Sequence, residues 1–60
     1  MILQVFKNVG DVLSVSTAYV ALISLYSNQL FPEKKAAGSL GGAVNGGTIV
    51  LSNGNYVRVR

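Results

Sequence analysis

The order of hydrophobic and polar residues divides the chain at LFPEKKAAGSLGG, residues 30–42. Residues 2–31 contain one glycine and no proline, whereas six of the seven glycines follow. In the first segment, mostly apolar residues recur along one helical face, and polar or small residues follow the opposite face. The first set is Val5, Val9, Val12, Leu13, Ser16, Val20, Ile23 and Leu30; the second is Gln4, Lys7, Asp11, Ser14, Ala18, Ala21, Ser24 and Asn28.

This pattern predicts one long N-terminal α-helix that stops at Pro32, because proline disfavours helical geometry at the preceding residue and donates no hydrogen bond. Gly10 and Asp11 offer an alternative, a break in which Asp11 caps a second helix and Ser14 follows at the third position beyond it. We favour a single helix with a kink near Gly10.

The C-terminal segment NGGTIVLSNGNYVRVR predicts a β-hairpin over residues 48–59, because Asn53-Gly54 fits the two-residue corner of a type I′ turn. Ser52 then pairs with Asn55, and the pairing continues outward to Thr48 and Val59. Alternation places Thr48, Val50, Val57 and Val59 on one face, and Ile49, Leu51, Tyr56, Arg58 and Arg60 on the other. A second turn at Asn45-Gly46 would add residues 39–44 as a third strand, although Gly41 and Gly42 weaken that strand.

The expected fold is therefore small and α+β: a long N-terminal α-helix, a Pro/Gly-rich elbow, and a C-terminal β-hairpin or three-stranded meander. The corresponding segments are residues 1–31 for the helix, 32–42 for the elbow and 43–60 for the hairpin or meander. A hairpin with apolar residues on both faces is expected to lie between two surfaces, or to complete a sheet that another chain supplies.

Composition changes this picture, because a chain of 60 residues has little interior and usually needs a staple. Half of the residues are hydrophobic and only 12% are charged, and there is neither cysteine nor histidine. No disulfide or single-chain metal site can be built, so we expect no metal or cofactor. Oligomerisation, a membrane or a larger partner remains as the source of stability. Met1 at the start of the chain leads us to expect no cleaved secretory signal.

Catalysis is not expected, because the only carboxylates, Asp11 and Glu33, lie at opposite ends of the predicted helix and no histidine or cysteine could activate a serine. Lys34 and Lys35 beside Pro32 are read as a solvated connector. The glycine-rich stretch at residues 38–47 lacks the Lys-Ser/Thr pair of a phosphate-binding loop, and is read as a linker and turn.

The 21 uncharged residues between Asp11 and Glu33 are long enough to cross a bilayer, although several hydroxyl and amide side chains lower their hydropathy. Residues 12–31 are therefore either membrane-spanning or buried in protein contacts. In both cases a neighbouring helix would approach along a stripe of small residues, Ser14, Ala18, Ala21 and Ser24. If the helix spans a bilayer, the excess of positive charge after it places the C-terminus on the cytoplasmic side or inside an enveloped particle.

These observations predict a non-enzymatic structural subunit of a larger assembly, such as a virion-like particle or a membrane complex. Its helix packs in a bundle or membrane, and its ribbon docks on other protein subunits in a homo- or hetero-oligomer. The predicted docking residues are Val50, Leu51, Tyr56, Val57 and Val59, with Arg58 and Arg60 contacting an anion or a partner. Two alternatives are a membrane-active pore-forming or lysis peptide, and a soluble homo-oligomer that contacts nucleic acid through its arginine-rich C-terminus.

Overall fold

The chain forms three helices and three strands in a computed structural model that describes residues 1–60. The helices are α1 (Ile2–Val5), α2 (Val15–Leu25) and α3 (Pro32–Asn45), and the strands are β1 (Val12–Ser14), β2 (Ile49–Ser52) and β3 (Asn55–Arg58). The strands form one antiparallel sheet in the order β1-β3-β2. The helices cover one face of this sheet, and the other face is open to solvent.

The predicted long N-terminal helix is wrong, and the fold class that was built on it changes accordingly. The chain leaves α1 at Val5, and Gly10 takes φ 96°, a left-handed conformation that glycine adopts without steric cost. The Gly10 amide donates to the Arg58 carbonyl at 2.7 Å, and the Arg58 amide donates to the Asp11 carbonyl at 2.9 Å. Pairing with a strand far along the chain therefore replaces helical hydrogen bonds in this segment.

Helix α2 begins at a serine cap rather than at Asp11. The backbone of Ser14 is extended, and its Oγ accepts a hydrogen bond from the Thr17 amide at 3.2 Å. A hydroxyl in this position satisfies an amide that has no partner within the helix. None of the three helices combines the length and the hydropathy that crossing a membrane requires.

Helix α3 occupies the predicted elbow at 32–42, and it also replaces the alternative third strand at 39–44. Pro32 begins the helix, where its missing amide and fixed φ are tolerated. The negative charge of Glu33 in the first turn interacts favourably with the positive end of the helix dipole. Ala36, Leu40 and the half-buried Ala43 form the inward stripe. The glycines between them lie on the exposed side, so burial of this stripe outweighs their poor helix propensity.

The hairpin formed by β2 and β3 has the predicted register. Ser52 pairs with Asn55 and Ile49 with Arg58, and the Val59 amide extends the ladder by donating to the Thr48 carbonyl at 2.9 Å. Asn53 and Gly54 have φ 51° and 77°, the two positive values that a type I′ corner requires. The third strand is β1 at residues 12–14, which pairs with the free side of β3.

The core lies between the inner face of the sheet and helices α2 and α3. It contains six fully or nearly fully buried side chains: Phe6, Ala18, Leu22, Ala36, Leu40 and Ile49. Leu13 and Tyr56 pack against this cluster from β1 and β3. The apolar helical face predicted from periodicity is not the buried one, because its members Val9, Val20 and Leu30 are exposed.

Candidate functional site

The open face of the sheet carries a row of three valines, one from each strand. Val12 pairs with Val57, and Val57 pairs with Val50 on its other side. Residues directly opposite each other in an antiparallel sheet project to the same side, so the three side chains are neighbours. Val59 continues this side beyond β3, and we call the four residues Val12, Val50, Val57 and Val59 the valine face.

The valine face is exposed, and no charged residue belongs to it. Val12, Val50 and Val59 expose 56%, 42% and 46% of their surface, whereas Val57, which lies between two valines, is half-buried. The remaining positions on this side, by strand alternation, are Ser14, Thr48, Ser52 and Asn55. The side chains on a sheet face that is open to solvent are normally polar or charged. A face with four valines and no charged residue is therefore unusual.

The other residues predicted for docking lie on the opposite side of the sheet. Tyr56 packs against the core, and Ile49, which lies on the same side of the hairpin, is a fully buried member of that core. Leu51 lies near the turn end of β2 and is 58% exposed. One of the two surfaces expected around the hairpin is thus the helical layer of the same chain, and the valine face is the uncovered one.

The small residues predicted for helix packing differ in how far they are buried. Ala18 is buried in the core, Ala21 is half-buried, and Ser24 is exposed. Ser14 precedes the helix as its cap. Ala18 already packs against the rest of the chain as a core residue, so the four residues are not open together to a second helix.

An open groove of about 390 Å³ runs along the outer side of α2, lined by Ser16, Thr17, Val20 and Ala21. None of these side chains is charged or can act as a base near neutral pH, so the groove offers shape without acid–base chemistry. No group of three or more His, Cys, Asp or Glu residues is placed to hold a metal ion.

Two pairs of hydroxyl groups form the hydrogen bonds between side chains. Tyr26 Oη and Ser39 Oγ lie 2.6 Å apart and join α2 to α3, and Ser14 Oγ donates to Thr17 Oγ1 at 2.8 Å. In each pair the neighbour is another hydroxyl, which does not activate a serine as a nucleophile. The carboxylates do not share a helix as predicted, because Asp11 precedes β1 and Glu33 begins α3.

The two arginines predicted to contact an anion or a partner donate to carbonyls of their own chain. Arg58 Nη1 donates to the Phe6 carbonyl at 3.0 Å, and its Nε donates to the Arg60 carbonyl at 2.7 Å. Arg60 Nη1 donates to the Gly46 carbonyl at 3.3 Å. Arg58 thereby ties β3 to the segment after α1, and Arg60 lies beside the end of α3.

Replacing Arg58 with Met is expected to lower the free energy of unfolding by about 1–2 kcal/mol, because the partly buried Phe6 carbonyl loses a charged donor. The same change at Arg60, whose bond is longer and exposed, should cost less than about 0.5 kcal/mol. Urea denaturation followed by circular dichroism measures both. Equal small losses for the two variants would show that the Arg58 contact does not stabilise the fold.

Sequence reasoning found three of the four residues of the valine face and missed Val12. Val12 was assigned to a long helix, and its place on the face depends on the pairing of β1 with β3. The available signal was local: Gly10-Asp11 can turn the chain, and the β-branched Val12 that follows suits the start of a short strand as well as a helix.

Comparison with known proteins adds no family assignment. The chain matches no protein-family model, and neither a curated protein nor a solved structure is significantly similar to it.

Proposed function

We propose that the protein is a non-catalytic subunit of a larger assembly, in which the valine face packs against the same face of a second copy. The observation that carries this proposal is the row of Val12, Val57 and Val50 on the open side of the sheet. Exposed contiguous apolar patches on small proteins mark interaction surfaces, since each valine that leaves water contributes about 1.5 kcal/mol.

Charge supports a second copy as the occupant. The chain carries a formal net charge of +3, but its charged side chains lie outside the valine face. Arg58 belongs to the inner side of the sheet, and Lys34 and Lys35 belong to α3, which covers that inner side. Two copies can therefore meet through an uncharged surface without opposing like charges, and an identical face on each copy suits a two-fold axis.

The small interior supports association of some kind. Only six of the 60 residues are buried, and the chain has neither a cysteine nor a cluster of side chains that could hold a metal ion. Two sheets packed face to face at about 10 Å would turn the valine face into a second core. Because three short strands make a small interface, the association is expected to depend on concentration. The kind of assembly predicted from composition, a virion-like particle or a membrane complex, stays a prediction of the sequence.

Sedimentation velocity over a range of concentrations tests this function. The unmodified chain is expected to form dimers as concentration rises, and Val57→Lys should be monomeric throughout, because it places two like charges within the shared face. Val57→Thr, which keeps the β-branched shape, should weaken dimerisation on the order of tenfold, because each dimer loses two buried methyl groups of about 0.8 kcal/mol each.

The matched control is Val20→Lys, which makes the same change at an equally apolar, exposed position on α2, outside the face. It should dimerise as the unmodified chain does, and circular dichroism should confirm that every variant is folded. A chain that stays monomeric at the highest concentration, or a control that dissociates as completely as Val57→Lys, would refute pairing through the valine face.

A further inference from the structure

The connection between α2 and α3 exposes the most solvent-accessible large apolar side chain of the protein. Leu30 is 80% exposed, and the adjacent Phe31 is 65% exposed. Both precede Pro32, where α3 begins, and Lys34 and Lys35 follow within the first turn of that helix. We call Leu30, Phe31, Lys34 and Lys35 the tip; it belongs to the helical layer, on the side of the sheet away from the valine face.

Phe31 holds a conformation that is costly for its residue type. Its φ and ψ are 56° and 58°, in the left-handed region, where a side chain larger than glycine costs about 1–2 kcal/mol. Strain of this size is normally offset by packing, yet most of the ring lies in water and makes no contribution to the core. The fold thus holds an aromatic ring outward at a cost to its own stability.

The charges beside this ring favour one kind of ligand. The Lys34 ammonium lies 5.2 Å from the centre of the Phe31 ring, and Lys35 is its neighbour in the chain. Glu33 is the single acidic residue nearby, so the tip keeps a net positive charge. Apolar side chains flanked by lysines match the boundary of an anionic bilayer, where the rings and methyls enter the acyl region and the ammonium groups meet lipid phosphates.

We infer that the tip is a peripheral binding site for the surface of an anionic lipid bilayer. Leu30 and Phe31 enter the interface, and Lys34 and Lys35 stay at the level of the headgroups. Because the tip and the valine face share no residue, this binding does not depend on the proposed self-association. If the tip binds a protein partner instead, the chain should fail to bind lipid vesicles.

Cosedimentation with lipid vesicles tests this site. The full chain is expected to bind vesicles of phosphatidylcholine with about 30% phosphatidylserine, and to bind pure phosphatidylcholine several-fold more weakly. Phe31→Gly should weaken binding to both by about tenfold or more through loss of the ring. Glycine accepts the left-handed backbone, so this variant should stay folded and melt no lower than the unmodified chain. If Phe31 merely supported the fold, Phe31→Gly would instead lower the melting temperature.

Matched control variants distinguish binding through the tip from general electrostatic attraction of the basic chain to anionic vesicles. Leu30→Ala should weaken binding about tenfold, whereas Leu51→Ala, the same change at another exposed leucine, should leave it within about twofold. Lys34→Gln should weaken binding to the anionic vesicles about fivefold and Lys7→Gln much less. Val57→Thr should bind vesicles as the unmodified chain does. A failure of self-association through the valine face can therefore be told apart from a failure of lipid binding at the tip. Absence of binding to anionic vesicles, or equal losses for Leu51→Ala and Leu30→Ala, would overturn the inference.

Discussion

Replacing Leu22 with Ala is expected to remove a large part of the free energy of unfolding in water at 25 °C. Leu22 is fully buried at the centre of the core, where α2 packs against α3 and the sheet. Removing a buried leucine costs about 2–5 kcal/mol, because both transfer energy and packing around the cavity are lost. The total free energy of unfolding of a chain of this size is about 3–9 kcal/mol, so the loss is a large fraction of the whole.

Far-UV circular dichroism and a urea titration measure this effect. Leu25→Ala is the matched control, because it makes the same change one turn further along α2 at a partly exposed position, and it should cost less than about 1 kcal/mol. If both variants lost the same stability, the buried side of α2 would not be the side that contains Ala18 and Leu22.

The hairpin could be predicted from the sequence because its signal is local. Asn53-Gly54 fixes the turn type, the turn fixes the register, and alternation then assigns each residue to a face. Three residues of the valine face, Val50, Val57 and Val59, follow from that register alone. What the sequence could not supply was which of the two faces the chain covers itself, because that depends on helices far from the hairpin in sequence.

The N-terminal half could not be predicted in the same way, because its periodicity is ambiguous and a distant pairing decides it. Residues 12–14 fit a helical face, but they pair with residues 55–57. β3 satisfies the backbone groups on one side of β1, which is an edge strand, and Gly10 permits the change of direction. Val12 joins the candidate site only through this contact.

Helix α3 was missed for a different reason: glycine was read as a sign of a linker. Gly38, Gly41 and Gly42 lower helix propensity, but Ala36 and Leu40 recur at helical spacing and are buried. In small proteins most helical stability comes from packing one face, and propensity contributes less. The prediction of a long N-terminal helix hid the tip, because it placed Leu30 on the apolar face of a helix that ends at Leu25.

The double substitution Asn53→Val, Gly54→Val is expected to lower the free energy of unfolding by about 3 kcal/mol. Both residues have positive φ, and a β-branched side chain costs about 1–2 kcal/mol at each such position. Space is not the cause, since a Cβ at Gly54 would meet no atom within 4 Å. Because β3 is the central strand and Ile49 in β2 belongs to the core, opening the turn weakens the sheet and the helices together.

Urea titrations followed at helix-sensitive wavelengths and by tyrosine fluorescence should therefore show one shared transition at lower denaturant for this variant. Gly41→Ala is the control, because it also adds a side chain where no atom lies within 4 Å, but in a helical conformation. It should raise stability by about 0.5–1 kcal/mol. Loss of the hairpin with the helices intact would mean that the two layers fold independently, and that the helical layer is stable without its contacts to the sheet.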